Sequence, residues 1–80
     1  MITPQQIEAW IRAGLDCEHL SVAGDGHHFE AVIVSPAFRG LLRVARHQRV
    51  YGALGDKMKA EIHALSMQTL TPEEWAESQT

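Results

Sequence analysis

The sequence predicts a small α+β domain, and three observations predict it. Apolar residues recur at helical spacing after a Thr-Pro opening. They alternate on either side of a Gly-Asp-Gly turn. A second helical stretch then leads into another alternating run. With 80 residues there is room for one core only, so residues 1–80 are expected to form a single domain. An apolar share of 45% against 21% charged residues is a globular balance rather than a disordered one.

Thr3-Pro4-Gln5-Gln6 has the form of a helix start, with a Thr cap, Pro in the first turn and Gln three residues after the cap. Ile7, Trp10, Ile11 and Leu15 place one apolar face on a helix from about Pro4 to Leu15. Leu20 and Val22 then alternate with Ser21 and Ala23 in a short strand. Gly24-Asp25-Gly26 supplies the residues a tight hairpin turn favours. In the second strand Phe29, Ala31 and Ile33 share a face, while Val32 and Val34 make the other face partly apolar, as in a central strand.

Ser35-Pro36 ends that strand and opens a turn or short helix through Phe38, which Gly40 breaks. From Leu41 the spacing is helical again, through Leu41, Val44, His47, Tyr51, Leu54 and Met58. Arg43, Arg46, Arg49 and Lys57 fall off that stripe and are expected on the solvent side. Gly52 and Gly55 each cost a helix about 1 kcal/mol against alanine and mark a site for a kink. Residues 62–70 read as a third strand. Thr71-Pro72-Glu73-Glu74 repeats the capped opening and starts a last helix carrying Trp75.

The order is therefore α-β-β-α-α-β-α. A right-handed crossover makes strands two and three parallel, giving a three-stranded mixed sheet with helices packed on one face. Parallel strands start at the same end. That brings His28, in the second strand, toward His63, in the third, with His27 in the adjoining turn. Imidazoles gathered at an open edge can ligate zinc, copper or iron, but their spacing matches no zinc motif. His47 lies on the helix stripe and is expected to be a buried, hydrogen-bonded core histidine.

Several function classes lose support. Cys17 is the only cysteine, which excludes an internal disulfide and a mainly thiolate metal site. No apolar run approaches the ~20 residues that span a bilayer. The opening MITPQQIEAW has no basic lead-in before an apolar block, so a soluble, cytoplasmic protein is expected. Ser21, Ser35 and Ser66 have no nucleophile context, and Cys17 two residues from His19 lacks an oriented base, so no enzyme is expected. The net charge of −3 conceals an asymmetry, with six bases and one acid between Arg39 and Lys59. Such a segment suits an anionic partner, DNA included, or a solvated helix face. Gly52-Ala53-Leu54-Gly55 has the GxxG form of a KH nucleic-acid clamp, but its Ala-Leu middle is apolar.

The runs VIVS (residues 32–35), FRG (38–40), RHQRVY (46–51) and HALS (63–66), followed by TPEEW (71–75), resemble the BolA family in order and distance. The segment SVAGDGHHFEAVIVSPAF is closest to its short bacterial IbaG/YrbA branch. The resemblance covers nearly the whole chain. It implies a type II KH-like fold and a monothiol glutaredoxin partner with a CGFS sequence. With glutathione, that pair shares a bridged [2Fe–2S] cluster. Family resemblance assigns a ligand role to His63 and a second, variable ligand to the hairpin loop, where His27 and His28 both stand. Imidazole in place of thiolate raises such a cluster's reduction potential. The isolated chain is expected to be a monomer or weak homodimer without a stable cluster. Some BolA-like proteins are instead DNA-binding regulators, a role for which Arg43, Arg46, Arg49 and Lys57 are the candidates here.

Overall fold

The computed structural model describes residues 2–80. Its elements are α1 (Pro4–Gly14), β1 (His19–Gly24), β2 (His28–Val34), a 3-10 turn (Pro36–Phe38), α2 (Arg43–Leu54), α3 (Lys57–Ala60), β3 (Ala64–Leu70) and α4 (Pro72–Ser78). The architecture is α+β, as expected. The sheet has the order β1-β2-β3, with β1 antiparallel and β3 parallel to the central β2.

Local chemistry sets the element ends. Both Thr-Pro openings form reciprocal capping boxes. The Gln6 amide donates to Thr3 Oγ1 at 3.2 Å, and the Thr3 amide donates to Gln6 Oε1 at 2.8 Å. At α4, the Glu74 amide donates to Thr71 Oγ1 at 3.1 Å and the Thr71 amide to Glu74 Oε1 at 2.8 Å. The second long helix stops where Gly55 takes φ +58°, and α3 follows as a separate turn. The kink expected near Gly52 and Gly55 is therefore a full break.

The core lies between the sheet and the two long helices. Ile7 and Ile11 from α1, Phe29, Ala31 and Ile33 from β2, and Val50 and Leu54 from α2 are its centre. α1 crosses α2 closely: a Cβ on Gly14 would stand 3.0 Å from the Cα and Cβ of Ala53. The expectation that every helix packs on one face needs amendment. Trp75 of α4 stacks on His19 with ring centroids 4.5 Å apart, and His19 alternates to the face opposite Leu20. Val34, fully buried yet outside the main core cluster, lies at that end of the sheet.

The apolar stripe expected on the second helical stretch is wrong in detail. Val44 is 69% and Tyr51 41% exposed, and His47 is half-buried with no side-chain hydrogen bond among the described residues. The inward positions are Arg46, Val50, Ala53 and Leu54, at helical spacing. The expected stripe also ran from Leu41 to Met58 as one helix, whereas α2 ends at Leu54, and Val44, His47 and Tyr51 lie within it on the side away from Arg46 and Val50.

Arg46 is the instructive case, because it was expected in solvent and its side chain is only 14% exposed. It donates to the Leu41 carbonyl at 2.8 Å, to the Thr69 carbonyl at 3.1 Å, and to Glu74 Oε1 at 2.6 Å. One guanidinium thus joins the α2 start, the β3 end and α4. Arg39 adds a bidentate pair with Glu73 at 2.9 and 2.6 Å, although both partners are well exposed. No side chain of α4 is fully buried, so its position depends on these pairs and on the Trp75–His19 stack.

Arg46→Ala, which strips two carbonyls of a charged donor, is expected to destabilise the domain by about 2 kcal/mol in urea unfolding. The Arg46 and Thr71 contacts hold the Glu74 carboxyl below the usual range. A depressed carboxylate stabilises the fold above its unfolded pKa and loses that contribution as pH falls through the folded one. Thermal melts from neutral to acid pH should therefore show a shallower acid loss in Glu74→Gln than in the parent. Parallel profiles would contradict this account.

Candidate metal-binding edge

Asp25 builds the hairpin loop from within. Its Oδ1 accepts the amides of His27 and His28, each at 2.9 Å, and this locks both backbones beside the start of β2. Those two amides, His28 first, hold the Asp25 carboxyl below its usual range. Gly24 makes the tight return feasible, because a Cβ there would collide with the His28 carbonyl and with Phe29. Gly26 takes φ 101°, a conformation that favours glycine.

Parallel pairing then brings in the third imidazole. His28 pairs with Ala64, and the Ala64 amide donates to the His27 carbonyl at 3.2 Å. His63 is the residue just before that junction, one position ahead of the strand where it was expected. Its ring centroid is 6.2 Å from His27 and 6.1 Å from His28, with both pairs nearly perpendicular. All three side chains are exposed. The sequence expectation of one histidine edge is met by this placement.

The donor set has a clear limit. Among the described residues no group of three or more His, Cys, Asp or Glu is arranged to hold a metal ion. Two imidazoles on one tetrahedral ion, with metal–nitrogen bonds of ~2 Å, have centroids about 5 Å apart. Rotation of exposed rings covers the remaining ångström, so His63 with either loop histidine can supply two nitrogen ligands. The other positions would be open to outside ligands.

Cys17 cannot join them. It precedes His19, which pairs with Val34 at the far end of β2, and the seven residues of that strand span about 20 Å. Burial pushes its thiol pKa up, and Sγ contacts the Leu15 carbonyl at 3.5 Å.

The basic segment is less basic than its composition implies. Arg39 and Arg46 are engaged by Glu73 and Glu74, and Lys57 lies 5.3 Å from the centre of the Trp10 ring and 3.9 Å from Glu61. Among the described residues, Arg43 and Arg49 are exposed without an acidic partner. Gly52-Ala53-Leu54 sits inside α2, with Leu54 3% exposed, so the GxxG string is no open loop. Composition alone missed these pairings, as it missed the role of Asp25. The Gly-Asp-Gly turn was a usable signal for the latter, since Asp characteristically receives amides two and three residues ahead.

Comparison with known proteins agrees with this architecture. A family model described as BolA-like protein matches residues 2–74. The acid stress protein IbaG of Escherichia coli K12 is 38% identical over 72 residues, covering 89% of this chain and 86% of that protein. The DNA-binding transcriptional regulator BolA of Haemophilus influenzae is 46% identical over 57 residues, 71% of this chain but only 55% of that protein. A solved BolA homologue from Coxiella burnetii superposes with a TM-score of 0.87 at 48% identity, covering 95% of this chain and 99% of its own. These relatives are named as regulators or stress proteins, and none of the described helices here is long and apolar enough to cross a membrane. The chain belongs to the BolA-like family.

Proposed function

We propose that this protein is a cytoplasmic adaptor that docks a monothiol CGFS glutaredoxin and holds one side of a bridged [2Fe–2S] cluster. His63 is the ligand from the β3 junction, and His28 or His27 is the ligand from the hairpin loop. The observation that carries the reading is the placement of the exposed His63 ring about 6 Å from the exposed rings of both His27 and His28, which come from a distant part of the chain. Nitrogen donors suit iron, and two of them would serve as the two terminal ligands of one iron of such a cluster, leaving the other iron to thiolates from elsewhere. With one half-buried, distant cysteine, the chain supplies no thiolate there. The glutaredoxin and its glutathione would supply the thiolates for the other iron, and the chain alone holds no stable cluster. Free of partners it is a monomer or weak homodimer.

A DNA-binding regulator is the second reading, favoured by exposed Arg43 and Arg49 and by the name of the Haemophilus relative. It is weaker, because Arg46 and Lys57, two of the four candidate contacts, are already engaged within the domain. Affinity through two phosphate contacts alone would be small and would fall with salt with a slope of about −2.

Anaerobic reconstitution with a CGFS glutaredoxin and glutathione tests the adaptor. Visible absorption and circular dichroism of the mixture should differ from the glutaredoxin homodimer. His63→Ala should lose that spectrum. Of His27→Ala and His28→Ala, one should lose it and the other retain it, which identifies the loop ligand. A wild-type mixture indistinguishable from glutaredoxin alone would overturn the ligand assignment.

A further inference from the structure

We propose that the outer edge of β3 is a docking site for an extended acidic segment of a partner protein, which adds to the sheet as a fourth strand. The inference does not depend on histidine ligation, since the edge runs away from that junction along the strand.

The sheet order leaves β3 unpaired on one side. Two hydrogen bonds fix the direction of its main chain. The Ala64 amide donates to the His27 carbonyl at 3.2 Å, and the Leu70 carbonyl accepts from the Ser35 amide at 3.0 Å. Both point toward β2 and its extension. Main-chain groups alternate sides along a strand, so Leu65, Met67 and Thr69 present theirs outward. Arg46, reaching the Thr69 carbonyl at 3.1 Å from outside the sheet, bears this out. Among the described residues, the outward main-chain groups of Leu65 and Met67 and the Thr69 amide have no hydrogen-bond partner.

Edge strands are ordinarily protected by charge, proline, bulges or a covering element. The strand ALSMQTL has no charged residue and no proline, and it pairs with β2 residue for residue without a bulge. Beside it, Arg43, His47, Met67 and Gln68 border a groove. An adjoining hollow is walled by Leu41, Leu42 and Leu70.

This chemistry selects the occupant. Leu42 is 84% exposed and offers a seat for an apolar side chain. Arg43 has no acidic partner among the described residues, while Glu74 at the rim of the hollow is neutralised by Arg46 at 2.6 Å. An incoming strand with alternating acidic and apolar residues satisfies the main-chain groups, Arg43 and Leu42 together. A second copy pairing β3 with β3 would add another Arg43 and His47 and neutralise neither.

The probe is a synthetic peptide of alternating valine and glutamate, titrated into the ¹⁵N-labelled full chain. Controls are a valine–lysine counterpart and a glutamate peptide N-methylated at alternate residues. The acidic peptide should perturb the Leu65, Met67 and Thr69 amides. N-methylation on the docking edge and Arg43→Glu should each weaken binding about tenfold or more, with the fold intact by circular dichroism. Absence of binding at about 1 mM peptide would overturn the proposal. So would equal binding of the lysine or N-methylated peptide, or perturbation confined to other residues. Concentration-dependent dimerisation protecting the same amides would assign the edge to a second copy and equally overturn it.

Discussion

The parallel pairing of β2 with β3 is the constraint on which the rest of the molecule depends. A parallel neighbour cannot be reached by a tight turn, so the chain must climb back through a crossover. That crossover is α2 and α3, and it supplies Val50 and Leu54 to the core. The same pairing fixes His28 opposite Ala64, and so sets His63 beside the hairpin loop. One register therefore determines both the core and the candidate metal edge. A slip by one residue would turn Phe29, Ala31 and Ile33 away from the helices, which is why the buried face of β2 holds the histidines in place.

Charge does its work at the other end of the sheet. Two adjacent glutamates at the start of α4 engage two arginines more than twenty-five residues earlier. The exposed Arg39–Glu73 pair contributes little in water, whereas the half-buried Arg46 also satisfies two carbonyls. Stability and recognition are thus separated along the chain. Of the six bases in the segment that looks like an anion-binding face, Arg39 and Arg46 fasten α4, while Arg43, Arg49 and Lys59 are exposed without an acidic partner among the described residues.

Much of this was legible in the sequence because the signals were local. Thr3 and Thr71 announce their capping boxes, Gly24-Asp25-Gly26 announces the hairpin, and the alternation through Phe29, Ala31 and Ile33 names the buried face of β2. The histidine edge was reachable in one further step, from the parallel crossover. What was not legible was helical phase. The apolar residues Val44 and Tyr51 drew the stripe to the wrong side of α2, because a long-range partner, Glu74, makes an inward arginine acceptable. Pattern does not separate His27 from His28 as the proposed loop ligand, and both rings stand at nearly the same distance from His63.

The most direct test of the central claim is pulsed electron paramagnetic resonance of the reduced cluster in the complex with a glutaredoxin. Only this chain would carry ¹⁵N-histidine. Two strongly coupled ¹⁵N nuclei in the wild-type complex, kept in the one loop variant that retains the cluster and lost with the heterodimer cluster itself in His63→Ala, are the predicted result. A cluster without coupling to the labelled histidines would show that its ligands lie elsewhere and would contradict the account.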